Sequence, residues 1–504
     1  MKATSTRRLV GDPALAWSQR LEVEVGGTGT VAQAGVVLPR LLADRLGLTT
    51  GLAEVVARAG FIPVRHRGRA LVDATCALAA GATCLSDVEA MTAQEEIYGP
   101  GGGASDSTML RALDELAERL GGDGLPGRRL ARATAAARVT AWEAIVARHG
   151  QLPAVRVAGE DLTRAATEPG GKPRPVLAIR PGATLIEAAS PKAQAAGHYK
   201  GGFGFHPPDQ LVCQHRGRVG GDGAPRQRRL VHRGRSHRRP QRRHSPRSPP
   251  SGAPTCWSAS TPAGASHDVI DHLTSLNTAP GHGNRGRRVE YTIGWPVDER
   301  TVAGIEQLPE SDWGAAVHAD GDVDPAAQVA DLTGIMRHGP GADRLATWPG
   351  CMRLIARRTP RPATKPAKLG EHPDWEYGAF VTNTPGGQVQ FLDARHRTQA
   401  HVEDRMKQFK ACGARNLPSI DYGRNAAWLQ MAALATSLTA WLRHLALDGD
   451  LAKASTKTLR FRLLSAPARL VTHARRKILK VPPGWTWAQD LATAWNRLQA
   501  LHPG

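Results

Sequence analysis

Between Pro208 and Cys256 the chain carries twelve Arg and no Lys, two Asp (Asp209 and Asp222) and no Glu. This stretch alone supplies +10 of a net charge of +21. Leu and Val are few and scattered in it, and residues 246–254 are rich in Pro and Ser. Such a composition buries too little apolar surface to offset the entropy lost on ordering. A disordered Arg-rich segment is therefore expected around 208–260, dividing any fold into a part before and a part after. Two origins fit. An arginine-rich arm can bind nucleic acid, RNA included, through its phosphates. Alternatively, a gene rich in G and C read out of frame yields this mixture of Arg, Pro, Gly, His and Ser. The whole chain, with 54 Arg against 12 Lys, 54 Gly and 36 Pro, has the composition such coding DNA gives. The out-of-frame reading also explains why ordinary patterning resumes at Ala263-Gly264-Ala265-Ser266-His267. The nucleotide sequence decides between them: a shifted frame across codons 208 to 261 should restore alternating strands and an aspartate.

A chain of 504 residues has room for several domains and substantial cores. Its excess of positive charge favours a polyanionic partner, most simply nucleic acid. Neither a signal peptide nor an apolar span of about 20 residues is found, so no membrane partner is expected. The six cysteines form no CxxC pair and have no matching histidine spacing. Neither a zinc site nor a disulfide framework is expected, and a reducing cytoplasm fits.

Periodicity separates the remaining parts. Residues 1–150 read as helical, with apolar spacing over Val36–Leu48, Gly51–Ala59 and Arg69–Ala80, the last closed by Gly81. Ser86 is expected to cap one further helix and Ser105 to cap another running from Met109 to Leu120. Short helices with tight turns suit a helical N-terminal DNA-binding domain of helix-turn-helix type, or a helical domain with no ligand. Arg128–Arg148 is a basic helix leading out of it. From Pro175 the period is that of strands: Val176–Ile179 and Thr184–Ile186 are apolar runs, interrupted by Arg180-Pro181-Gly182. Pro181 removes a ladder donor, which is out of pattern for a central strand. Arg288–Trp295, Met352–Arg358, Trp375–Thr382 and Gln388–Leu392 are expected strands, with Pro360–Pro373 a loop. Ala426–Leu447 reads as a core helix, Leu459–Lys480 as a basic segment and Trp487–Leu501 as an amphipathic helix.

One stretch has particular chemistry. Arg395–Lys410 has no Gly or Pro and is expected to form one unbroken helix of about four turns. Gln399, Glu403 and Lys410 then fall near one face, with Val402, Met406 and Phe409 beside them. The Glu403 carboxylate stands among Arg395, Arg397, Arg405, Lys407 and Lys410. Such an acid can help hold a divalent cation while the bases hold phosphates. An exposed basic helix is the plainer alternative.

Taken in order, Ala183-Thr184-Leu185-Ile186-Glu187-Ala188, Tyr199-Lys200-Gly201-Gly202-Phe203-Gly204-Phe205-His206-Pro207, Ala263-Gly264-Ala265-Ser266-His267 and Val402-Glu403-Asp404-Arg405 resemble the DDE transposases of bacterial insertion sequences. The resemblance implies an α/β fold: an RNase H-like catalytic domain with a β-rich insertion, preceded by the helical DNA-binding domain. The implied divisions are 1–150, the N-terminal domain; 151–207, the first part of the RNase H-like domain; 208–261, the Arg/Pro-rich stretch; 262–287, the resumed RNase H-like part; 288–387, the insertion; 388–424, the catalytic-helix part; and 425–504, a C-terminal helical region. It also implies a bacterial cytoplasmic, nucleoid-associated protein that acts on double-stranded DNA at transposon ends and target, as a homodimer on paired ends. Two aspartates and one glutamate would hold two Mg2+ or Mn2+ ions for cleavage and strand transfer.

Glu403 matches that glutamate, and Lys410 matches a signature lysine that contacts DNA phosphate. Arg395, Arg397, Arg405, Lys407 and Lys200 are the further residues expected at DNA. The first aspartate position holds Gly182 and the second, Thr261. The family's arginine aligns with Gln399 and its tyrosine with His396. Neither Gly nor Thr replaces a carboxylate toward a hard divalent cation. Glu187, five residues beyond Gly182, alternates to the opposite face. Asp268 and Asp271 are expected within a helix. An inactive transposase is therefore expected, or else a DNA-binding protein that occupies transposon ends and represses transposition.

Overall fold

The computed structural model describes residues 25–122, 124–162, 176–183, 186–188, 192–193, 195–197, 203–205, 208–212, 217–219, 255–260, 265–277, 289–339, 343–367, 371–398 and 400–502. Strand β1 (Thr30–Val31) precedes helices α1 (Val37–Arg45), α2 (Leu48–Val56), α3 (Arg67–Ala80), α4 (Leu85–Thr92), α5 (Glu95–Tyr98), α6 (Asp106–Ala117) and α7 (Arg128–His149). Helix α2 buries Leu48, Leu52, Val55 and Val56, an i, i+4, i+7, i+8 stripe. A Cβ on Gly68 would stand 2.2 Å from the Thr49 carbonyl oxygen and 2.8 Å from the Ala53 Cβ. Only glycine lets α3 lie that close on α2. The Ser105 side chain accepts from the Thr108 N–H, as expected for the cap of α6, whose helix begins at Asp106. The expected cap at Ser86 is corrected. Helix α4 starts two residues earlier, at Leu85 with Cys84 in the N-cap position, and the Asp87 carboxylate reaches back to the Thr83 N–H and hydroxyl at 2.8 and 2.7 Å.

Short ladder β2 (Arg156–Val157) and β3 (Glu160–Asp161) leads to β4 (Val176–Ala183), β5 (Ile186–Ala188), β6 (Ala196–Gly197), β7 (Phe203–Phe205), β8 (Pro208–Val212), β9 (Gly217–Val219) and β10 (Thr255–Ser260). The stretch 208–261, expected to lack structure, thus contributes strands at both its ends. Residues 220–254 and 261 lie outside the described residues. The expected interruption at Arg180-Pro181-Gly182 is also corrected, because β4 runs straight through it. Pairing with β10 covers Val176–Ile179 and pairing with β8 covers Ile179–Ala183. Pro181 therefore falls where the β10 ladder has ended, a position that needs no donor on that side.

Beyond α8 (His267–Ser275) come β11 (Val289–Trp295), α9 (Glu299–Ile305), β12 (Gly314–Val317), β13 (Val323–Asp331), α10 (Thr333–His338), α11 (Asp343–Ala346), β14 (Arg353–Pro360) and β15 (Trp375–Thr382). One nine-stranded sheet has the order β12-β13-β14-β15-β11-β10-β4-β8-β9. Strands β4, β10 and β11 are mutually parallel, and the pairs on either side of them are antiparallel. The β-rich stretch therefore continues the same sheet. Alternation assigns its faces. Tyr291, Ile293, Leu354, Ala356 and Val381 bury on one side with Ile270, Trp313 and Met336. Ile355 and Phe380 bury on the other with Leu392.

The chain closes with α12 (Val389–Arg397), α13 (Ala400–Phe409), α14 (Tyr422–Ala446), α15 (Gly449–Lys453), α16 (Thr456–Leu459), hairpin β16 (Ala468–His473) and β17 (Arg476–Lys480), and α17 (Ala488–Gln499). The expected strand at Gln388–Leu392 is corrected. Gly387 (φ 96°) turns the chain, Gln388 takes the N-cap position, and Leu392 packs on the sheet from a helix. Helix α14 runs through the main core, where Trp428 and Trp441 are buried against residues of α3, α6, α13 and α17. The helices of 37–149 and those of 400–499 share this core. No single helix among the described residues is long and apolar enough to cross a membrane.

The β16–β17 turn places Ala474 at φ 48° and Arg475 at φ 64°. Positive φ at both central residues matches a type I′ turn, which favours Asn-Gly and strains residues with a Cβ. The double substitution Ala474→Asn, Arg475→Gly is expected to raise stability by about 1–2 kcal/mol, read from urea unfolding midpoints at unchanged m.

Candidate functional site

Helix α12 is fixed to the sheet by buried polar contacts. Arg395 is 5% exposed and pairs with Glu290 of β11 at 2.8 Å. It also donates to the Thr382 and Thr384 hydroxyls at 3.1 and 2.7 Å, and Thr384 donates to Glu290. Asp393, buried, accepts from Arg357 of β14 at 2.6 Å and pairs with Arg397 at 3.1 Å. Burial raises the Asp393 carboxyl from its ordinary value, against the opposing pull of those two arginines. His396 stacks on Phe380, ring centroids 4.5 Å apart, and its Nδ1 lies 2.9 Å from the Thr292 hydroxyl. Burial first, and the Arg395 charge second, push this imidazole down to about 4.

The single helix expected over Arg395–Lys410 is broken. Helix α12 stops at Arg397, where the Thr398 hydroxyl turns back to the Arg395 carbonyl at 2.7 Å, and α13 starts at Ala400. A threonine that bonds its own preceding turn competes with helix continuation. Gln399 lies outside the described residues. Helix α13 buries Val402, Met406 and Phe409, as the spacing predicts, and turns Glu403, Asp404 and Lys407 to solvent. It packs against β4. Lys410, half-buried, opens a wider π-type turn (Lys410–Ala414) inside which Gly413 takes φ 93°. The turn is held by Arg460, which donates to the Ala411 and Ala79 carbonyls, and by the Trp428 indole N–H on the Gly413 carbonyl.

Among the cations expected at DNA, Lys407 is exposed and Arg397 is half-buried, donating to the Val317 carbonyl. The structure turns Arg395 and Arg405 inward, at 5% and 7% exposure, so both cations are engaged within the fold. Lys200 lies outside the described residues. A buried chain ties α13 to the core: Arg443 of α14 donates to the Gln408 side-chain oxygen at 2.8 Å and to the Thr456 hydroxyl at 3.1 Å. Gln408 in turn donates to Asp404 at 2.7 Å.

Gly182 stands next to last in β4, the strand on which α13 packs. Strands β4 and β10 are aligned with Val176 opposite Thr255 and Ile179 opposite Ser258. The same offset makes Ser260, the last residue of β10, level with Pro181. Thr261 lies outside the described residues. On its other side Gly182 pairs with Asp209 of β8, an acid that composition alone had assigned to the Arg-rich stretch. Asp268 and Asp271 lie in α8, as expected, and Glu187 lies in β5 of a separate small sheet. Among the described residues no group of three His, Cys, Asp or Glu side chains is placed to hold a metal ion. With glycine at 182, the donor set does not fit a two-metal centre.

Sequence reasoning missed Glu290, Thr382 and Thr384 as the seat of Arg395. The signal was weak: a single acid in an otherwise apolar strand, 105 residues from its partner.

These features define the class, a mixed α/β protein whose acid-bearing helix lies on a central strand of a partly parallel sheet. Residues 284–503 match the family model described as transposase DDE domain group 1. That match gives residues 284–503 a transposase DDE domain, of a family that generally uses divalent metals and acts on DNA. The matched residues include Glu403 and Lys410 and exclude both positions at which the resemblance expects aspartates. A search of curated proteins finds no match.

Proposed function

We propose that the chain is an insertion-sequence transposase that still binds DNA but has lost strand cleavage and transfer. The observation that carries this reading is the meeting of α13 with β4: a helix bearing Glu403 packs on the strand that bears Gly182. The sheet supports an RNase H-like catalytic domain, since antiparallel β9-β8-β4 is followed by parallel β10 and β11. In such a domain three carboxylates converge there, and Glu403 is the survivor. It has no carboxylate at 182 to share a metal with. What remains is phosphate recognition by Lys407, Lys410 and the basic surface, with two copies paired on transposon ends. The net charge supports a second reading, a non-catalytic repressor that occupies those ends.

Purified protein should bind duplex DNA with an affinity that falls steeply with salt, because Arg and Lys on phosphates release counterions. A flat salt response sinks both readings. Nicking in Mg2+ or Mn2+ is expected to be at background. Metal-dependent nicking lost in Glu403→Ala would overturn the inactive assignment, and its loss in Asp209→Ala as well would identify that acid as a substitute ligand.

A further inference from the structure

We infer that the β16–β17 hairpin is a DNA-contacting ribbon that lies in a duplex groove. The inference rests on the reading of the chain as DNA-binding and names a surface that performs it. The hairpin has two unlike faces. Leu470 opposite Leu479 faces inward and joins Val31, Ala34 and Ala468 in an apolar cluster. β1 pairs along β16, with Thr30 opposite Arg469, so this side is anchored.

The outer face is made of three rungs: Arg469 opposite Lys480, Val471 opposite Ile478, and His473 opposite Arg476. Arg469, Arg476 and Lys480 are exposed, as are Arg475 in the turn and Lys477 beside it. Ile478 is 40% exposed in the middle of these cations. From Leu451 to Gln489 the sequence has no Asp or Glu. None of the five cations makes an ion pair among the described residues. A solvated strand pair normally interleaves both signs, and this one does not.

The shape fits one polyanion well. The major groove of duplex DNA, about 12 Å wide, admits a two-stranded ribbon. Arg469 projects from β16 and Arg476 and Lys480 from β17, on one face and about 4.8 Å apart across the pair, so long side chains from both strands can reach phosphate. Val471 and Ile478 then meet the groove floor, where thymine methyl groups offer apolar contact.

The test uses the full chain and a duplex of about three helical turns of arbitrary sequence, with affinity measured across a salt series. In the variant Arg469→Gln, Arg476→Gln, Lys477→Gln, Lys480→Gln, the slope of log affinity against log salt should become shallower by about 3–4. Affinity at about 0.1 M salt should fall on the order of a thousandfold. Arg469→Lys with Arg476→Lys should keep the wild-type slope, and Ile478→Ser should weaken binding at unchanged slope. Circular dichroism checks that each variant is folded. An unchanged slope in the glutamine variant, with steep wild-type binding, overturns the ribbon while leaving DNA binding intact. Salt-independent wild-type binding overturns the broader reading instead. Binding to phosphatidylserine vesicles that is lost in the glutamine variant while duplex binding is unaffected assigns the hairpin to a membrane surface and overturns the proposal.

Discussion

Arg443→Ala is expected to destabilise the protein by about 3–5 kcal/mol, among the largest effects of any single substitution in the chain. Arg443 is 1% exposed and lies in the last turn of α14. It donates to Gln408 and Thr456, and Thr456 donates to the same Gln408 oxygen at 3.2 Å. Truncation opens a cavity and leaves buried hydrogen-bonding atoms without their partner, and both costs fall on one site. The network is also what joins α13 to α14 and α16, so the loss should loosen the Glu403 helix as well. Equilibrium urea unfolding measures the first effect. Amide exchange over residues 400–409 measures the second and should rise more than exchange in β14. A cost below about 1 kcal/mol would mean that the network contributes packing alone.

Acid should destabilise the fold through His396. Its folded-state value is about 4, against about 6.5 for a free imidazole. Over that window the unfolded chain binds a proton that the folded chain does not, so stability rises with pH there. Stability is thus lost as pH falls from about 6.5 and the loss levels out below about 4, at up to about 3 kcal/mol. His396→Phe preserves a ring stacked on Phe380 and removes the titrating group. The pH dependence across that window should shrink accordingly in parallel urea titrations. An unchanged profile would show that the imidazole is reached by water in the folded state.

Both predictions depend on contacts that no local pattern encodes. The strand Trp375–Thr382 and the helices around 70–80 and 426–446 were legible because apolar spacing and end signals agreed there. Val389-Gln390-Phe391-Leu392 alternates like a strand, yet Gly387 and the i, i+3 pair Val389 and Leu392 seat it as a helix on the sheet. The hairpin read as a basic segment because its turn is Ala-Arg, without the Asn or Gly that ordinarily announces one. At the site, the exposure of Glu403 and Lys407 followed from helical spacing. The inward turn of Arg395 did not, since its partner stands in a strand far upstream.

The shared helical core has a consequence for synthesis. Helices α3 and α6 are made early, but the surface that covers them is α14, which leaves the ribosome some 300 residues later. Until then the apolar faces that they turn toward α14 stay uncovered, and chaperones and proteases compete for them. Any reading frame that stops before residue 446 leaves the first helices without their cover, so premature termination should be removed by degradation rather than persist as a free N-terminal fragment. Selection on the finished fold therefore acts on the whole message, and a gene can lose its chemistry long before it loses the need to be translated to the end.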